Sequence, residues 1–373
     1  VLDAVSIFAP SPALIKINSG TFVVFVLLTI NQRKTFFCER WIFARYGPSK
    51  GNEGRPMTEF TRRDLLAFAA AGAATLDVSR AGATAMSDPI TTSFALTRPS
   101  YVGQSHLAVA DLDMMADFYK RMLGFKEFER SASGVLLGAG DRPFLTLSSE
   151  KDIRRGSRRS AGLFHNAFLV PNRTELARWL RHAAHSGVAL DGASDHLVSE
   201  AIYLSDPEGN GIEVYRDRSP MEWTYKPDGQ VEMSTLHMDL QALYDSVPDQ
   251  TYGGMADGTA IGHIHLQVGN IPKADAFYRD VLGLKLMATY PGAHFYASGA
   301  YHHHIAANVW NSNGASPRET GLTGLADYTL TFNDKAALDA AVKAAEALDI
   351  KAVSDGDAVK VIDPFGIGVR LTA

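Results

Sequence analysis

Twelve histidines and one cysteine, Cys38, set which chemistry this chain can carry. A lone cysteine excludes a Cys-rich zinc or iron–sulfur site, so any metal must be held by imidazole and carboxylate. The densest run of suitable groups is His196-Leu-Val-Ser-Glu-Ala-Ile-Tyr203-Leu-Ser-Asp206-Pro-Glu-Gly-Asn-Gly-Ile-Glu213. Its Asp-Pro-x-Gly segment reads as a turn leading into a closing strand. His165 lies in the strand-like run from Gly162 to Val170. Further along come Gly262-His263-Ile-His265 and the triplet His302-His303-His304. Imidazole suits metal ligation and acid–base work near neutral pH, and glutamate can complete a metal site.

The elements that must position these groups repeat. Gly103-Gln104-Ser105-His106-Leu107 corresponds to Gly262-His263-Ile264-His265-Leu266. Asp117 to Lys126 corresponds in the same register to Ala276 to Lys285, at a constant offset of 159 residues. The turn Asp206-Pro-Glu-Gly is echoed by Asp363-Pro-Phe-Gly. Amphipathic helices are predicted before each turn, over Thr174 to Ser186 and Lys335 to Leu348, with Leu176, Trp179, Leu180 and Ala183 on one face. The spacing gives four βαβββ units, at about 101–150, 161–216, 259–312 and 322–373, in an α+β chain. In chain order they form a first pair, 101–216, a linker rich in Pro, Gly and Asp, 217–258, and a second pair, 259–373.

This layout resembles the glyoxalase/bleomycin-resistance/extradiol dioxygenase superfamily, the vicinal oxygen chelate proteins, over about 270 residues. The run from His196 to Glu213 resembles the extradiol ring-cleavage signature in particular. Ser194 is a minor departure from it. The resemblance implies four modules forming two cup-like mixed sheets. It also implies Glu213 and His165 as metal ligands, and His196 and Tyr203 beside the substrate. The family's Gly-His pair stands 14 residues before the helix Phe-Tyr. Gly262-His263 fits that place, whereas unit one has Gln104 there. His263 is therefore the first choice for the third ligand, with His106 and His265 in reserve. The segment Tyr301 to Ala306 resembles the last strand of the extradiol site, which makes His303 the acid–base residue. The other reading of the triplet is a polar surface strand, or adventitious metal binding.

Unit four places Asp327 or a neighbour, Lys360 and Arg370 where unit two has His165, Tyr203 and Glu213. Arginine has no acceptor and cannot ligate a cation. Only units two and three together fill every position. They are expected to share a cup, within one chain or across a domain-swapped dimer, and units one and four a second cup without metal. Two imidazoles and one carboxylate form the facial triad of non-haem Fe(II), with Mn(II) the alternative. The implied activity is extradiol cleavage of a catechol-type aromatic diol by O₂. Other readings left open are another metal-dependent isomerase or lyase of the superfamily and a non-catalytic binder of the same fold.

A hydrophobic content of 46% supplies a core, and 41 acidic against 36 basic residues argue against a general nucleic-acid binder. Residues 1–56 read as an unstructured upstream extension. Their apolar run Thr21 to Ile30 is too short for a stable membrane span. Residues 57–86 carry Arg62-Arg63, an Ala-rich stretch and an exit of Ala81, Ala83 and Ala85, which resembles a twin-arginine export signal. That implies a periplasmic protein, or a cytoplasmic one if the signal does not function. Homo-oligomerisation is left open.

Overall fold

The computed structural model describes residues 93–373, together with the backbone of three short strands upstream, β1 (Leu14–Ile17), β2 (Thr21–Val24) and β3 (Ile42–Arg45). These three pair antiparallel within the segment expected to be unstructured. Thr21-Phe-Val-Val is a run of residues that favour extended backbone. The export segment 57–86 lies outside the described residues. Among those that are described, no helix is long and apolar enough to cross a membrane.

Unit one comprises β4 (Ser100–Ala108), α1 (Leu112–Phe118), β5 (Lys126–Arg130), β6 (Gly134–Ala139) and β7 (Arg142–Ser148). Unit two comprises β8 (Gly162–Leu169), α2 (Arg173–Ser186), β9 (Gly192–Asp195), β10 (Ser199–Ser205) and β11 (Gly211–Asp217). After α3 (Leu240–Asp245), unit three follows with β12 (Ala260–Gln267), α4 (Ile271–Ala274), β13 (Lys285–Tyr290), β14 (Ala293–Ala297) and β15 (Ile305–Asn308). Unit four has β16 (Gly324–Phe332), α5 (Lys335–Ala347), β17 (Val353–Asp355), β18 (Ala358–Ile362) and β19 (Gly368–Thr372). Each unit's helix starts on an Asx cap: Asp111, Asn172, Asn270 or Asp334 accepts a backbone N–H of the first turn. Such a cap contributes about 1 kcal/mol.

The strands form two eight-stranded mixed sheets. One runs β13-β14-β15-β12-β8-β11-β10-β9 and the other β17-β18-β19-β16-β4-β7-β6-β5. Units two and three therefore share one sheet and units one and four the other, within a single chain. The chain-order pairs 101–216 and 259–373 are not the pairs that join edge to edge. Each sheet closes at its centre through an antiparallel pair, β12 with β8 and β16 with β4.

Period-two alternation sorts the side chains. Phe168, Ile202, Ile212, Val214, Ile264 and Leu266 join the core that also takes Met115, Tyr119 and Trp179 from the helical segments. The opposite face of the same strands carries His165, Ala167, Tyr203, Glu213, Tyr215 and His263, with Ala167, Leu169 and Tyr215 in a second, smaller cluster.

Two matched clasps tie the sheets together. Tyr119 Oη donates to Asp206 Oδ2 over 3.0 Å, and Tyr278 Oη donates to Asp363 Oδ2 over 2.5 Å. The other oxygen of each aspartate accepts two backbone N–H groups of its own turn. The Asp-Pro-x-Gly motif thus does two jobs: it closes a turn and receives the tyrosine of the helix Phe-Tyr pair. Burial pushes the Asp363 carboxyl up to about 6.

Candidate metal centre

Strand register brings the expected ligands together. On β11 Glu213 lies opposite Ala167 of β8, and Ala167 lies opposite His263 of β12. The alanine methyl leaves a carboxylate and an imidazole free to meet above it. His165 stands two residues along β8 on the same face. Its Nε2 is 2.9 Å from Glu213 Oε2, and His263 Nε2 is 3.3 Å from the same oxygen. The two imidazole nitrogens are 3.4 Å apart. Donors about 2.1 Å from one ion, at angles between octahedral and tetrahedral, are separated by about 3.0–3.4 Å, so these three atoms are spaced as ligands of one cation. They are the residues among those described whose donor atoms cluster in the way a metal site needs.

All three side chains are buried. Burial pushes the Glu213 carboxyl up, but the imidazoles of His263 and His165 beside it outweigh that and hold it well below the usual range. Burial drives His263 down to about 4, against the pull of Glu213. Near pH 7 its ring is neutral and can offer a lone pair, as a metal ligand must.

A bulge in β12 puts His263 in register. Ile261 pairs with Phe168 and His263 with Ala167, which leaves Gly262 as the extra residue. A Cβ at Gly262 would lie 1.8 Å from Tyr215 Oη. The glycine of the Gly-His pair is therefore required by a tyrosine reaching across from β11. In the second sheet Gly103 is the equivalent extra residue, between Val102 and Gln104.

His196 and Tyr203 form one hydrogen-bonded unit. Tyr203 faces Glu213 across β10 and β11. His196 Nε2 is 2.7 Å from Tyr203 Oη, and His196 Nδ1 is 2.7 Å from the Ser234 carbonyl. A carbonyl only accepts, so Nδ1 carries the proton and Nε2 accepts the phenol's O–H. Burial and the nearby Glu213 carboxylate push the Tyr203 phenol well up, so it stays protonated. Ser234 belongs to the segment read from sequence only as a linker. Nothing in its side chain signals this carbonyl contact.

The histidine triplet corrects one expectation. Residues 301–304 do not extend β15, which begins at Ile305. Nor do they form a polar surface strand, since His302, His303 and His304 are all buried. The rings diverge because each has its own partner. His304 Nε2 is 3.1 Å from the Ala95 carbonyl, and His302 Nε2 is 2.8 Å from Asp217 Oδ1. His303 lies against His263, ring centroids 4.1 Å apart, with Phe295 at 5.0 Å. Burial, and then the neighbouring histidines, lower its pKa well below the ordinary value, not near neutrality as expected from an unperturbed ring. Asp217 was not singled out from sequence. Its alternation with Glu213 and Tyr215 on β11 is the signal that could have found it.

The reserve candidates lie outside the cluster. His265 Nε2 is 3.0 Å from the Asn308 amide nitrogen and accepts from it. In the second sheet His106 Nε2 meets Ser148 Oγ at 2.6 Å, and Asp327 holds the Lys360 ammonium at 3.1 Å. Arg370 pairs with Asp355 at 2.7 Å, and Gln104 lies opposite Thr329. This cup has an aspartate, Asp327, where the first has His165, and the cations Lys360 and Arg370 where the first has Tyr203 and Glu213.

The sequence matches the Glyoxalase/Bleomycin resistance protein/Dioxygenase superfamily over residues 100–214 and 260–369. A catechol-2,3-dioxygenase from Bacillus subtilis (strain 168) is 36% identical over 244 residues, which span 64% of this chain and 85% of that protein. A solved structure of a proposed dioxygenase from Bacillus subtilis subsp. subtilis str. 168 shares the fold at 14% identity, with a TM-score of 0.53. That likeness covers 73% of this chain and 84% of that one.

Proposed function

Because the chain belongs to the glyoxalase/bleomycin resistance protein/dioxygenase superfamily, we propose that it is an extradiol ring-cleaving dioxygenase acting on a catechol-type diol with O₂. The observation that carries this reading is the convergence of His165 Nε2, His263 Nε2 and Glu213 Oε2 beside a further buried imidazole, His303. The relative named catechol-2,3-dioxygenase supports it. The three donors would hold a divalent cation, Fe(II) in this reading, with Mn(II) the alternative. Bound there, the ion would supply open positions for a chelating diol and for O₂.

The chain's own residues do the rest. Tyr203 Oη donates a hydrogen bond to His196, which leaves oxygen lone pairs to receive a substrate hydroxyl. A proton taken there can pass to His196 Nε2, while the Ser234 carbonyl keeps the ring in place. His303 packs against His263 and offers a second imidazole for the proton transfers of ring opening. Phe164 and Trp310 pack edge to face at 5.5 Å, and Phe164 also packs against His165. They give an aromatic ring apolar surface beside the ligands. The pair Arg62-Arg63 supports export of the folded protein, with its metal loaded before transport.

The deciding experiment is anaerobic loading with Fe(II), followed by catechol and air-saturated buffer. Oxygen uptake with a yellow ring-opened product is expected. No uptake with catechol and several substituted catechols, in protein that has bound the metal, overturns the assignment.

A further inference from the structure

Behind His303 runs a chain of buried polar groups that the proposed reaction does not use directly. Asp217, at the end of β11, accepts from Tyr301 Oη at 3.2 and 3.0 Å and stands 2.8 Å from His302 Nε2. Tyr301 Oη in turn meets Tyr215 Oη at 2.9 Å, the hydroxyl that fills the space over Gly262. His302 is fully buried. Its ring lies 4.0 Å from that of Tyr301 and 5.3 Å from that of Trp223. Its Nδ1 is 2.8 Å from His303 Nδ1. That contact takes up Nδ1 of His303 and leaves Nε2 as the ring's second nitrogen.

We infer that Asp217 and His302 are positioning residues that fix His303 as the Nδ1–H tautomer, with its Nε2 lone pair free for substrate. The argument is one of donors and acceptors. An ionised carboxylate only accepts, so His302 Nε2 carries hydrogen. A neutral imidazole has one N–H, so His302 Nδ1 is then an acceptor. With His302 neutral, the contact between the two Nδ1 atoms is satisfied when His303 donates. The remaining nitrogen of His303, Nε2, is left with a lone pair. The rings of Tyr301 and Trp223 hold His302 against rotation, so the chain sets orientation as well as tautomer. A buried Asp–His pair behind a working histidine commonly has this effect. Trp223 gives the segment between the two module pairs a part in the site. The inference rests on the reading of His303 as the group that faces substrate.

The test is a two-bond proton–nitrogen NMR correlation on the full chain labelled with ¹⁵N-histidine, with and without Zn(II), a diamagnetic ion for the same ligands. His303 is assigned by the signals lost in His303→Ala. The wild type should show a protonated Nδ1 and an unprotonated Nε2 on His303. Asp217→Asn removes the anion with little change in shape and should raise the Nε2–H fraction several-fold. His302→Phe removes the acceptor and should do the same if it folds. A wild-type His303 protonated at Nε2, which a doubly protonated His302 would impose, overturns the proposal. So does an unchanged tautomer in Asp217→Asn. Because the tautomer is read without turnover, its failure is distinguishable from absence of oxygen uptake, which bears on the dioxygenase reading alone.

Discussion

Gly262→Ala probes the geometry that places His263. The added methyl would lie 1.8 Å from Tyr215 Oη, 2.8 Å from Tyr215 Cζ and 3.0 Å from Leu169 Cβ. Ordinary contact begins near 3.4 Å, so the tyrosine and the bulge must separate by about 1.5 Å. Tyr215 cannot swing away without breaking its bond to Tyr301, so much of the movement falls on β12 and His263. Overpacking of this kind costs about 1–3 kcal/mol. A ligand displaced by about 1 Å should also weaken metal binding by roughly 10–100-fold. Tyr215→Phe removes the closest atom and raises the nearest approach from 1.8 to 2.8 Å. The double variant should therefore lose less than the sum of the two single variants. Urea unfolding and competitive metal titration on all four proteins complete the cycle. Wild-type stability and metal affinity in Gly262→Ala, or strict additivity, would refute the reasoning.

Ala167→Leu puts a branched side chain on the line between Glu213 and His263. It should abolish metal binding while leaving far-UV circular dichroism unchanged; retained metal would contradict the proposed centre. His303→Ala should keep the metal, measured by atomic absorption, and lose at least about 100-fold in turnover; full activity would remove it from the mechanism. Asp363 gives a pH test. Its folded pKa of about 6 exceeds the ordinary 3.8, so its contribution to stability is present below about pH 4 and lost as pH rises through 6. The change amounts to about 3 kcal/mol. The stability difference between wild type and Asp363→Asn, from unfolding curves at pH 4 and 7.5, should shift by that amount toward the variant at the higher pH. A pH-independent difference would show that Asp363 is not buried as described.

The repeats made the four units legible, and a ligand census made their pairing legible. Arg370 and Lys360 cannot do what Glu213 and Tyr203 do, and Gln104 stands where His263 does, so only units two and three could share a site. The sheet order agrees. What the sequence hid arises from contacts distant along the chain. Tyr215 explains Gly262 only once β11 and β12 flank β8. The Ser234 carbonyl reaches His196 because the segment after unit two folds back over β9, through the bridge of Leu236 to Asp195. Three adjacent histidines looked like one strand because alternation assumes regular backbone, whereas separate partners turn each ring its own way.

The central claim is that one cation per chain sits between units two and three on His165, Glu213 and His263. Diffraction from crystals grown anaerobically with Fe(II), recorded on both sides of the iron absorption edge, tests it directly. The account predicts a single anomalous peak within about 2.3 Å of His165 Nε2, His263 Nε2 and a Glu213 carboxylate oxygen. A peak in the cup of units one and four, on His106 and Asp327, or at none of these atoms, would contradict it.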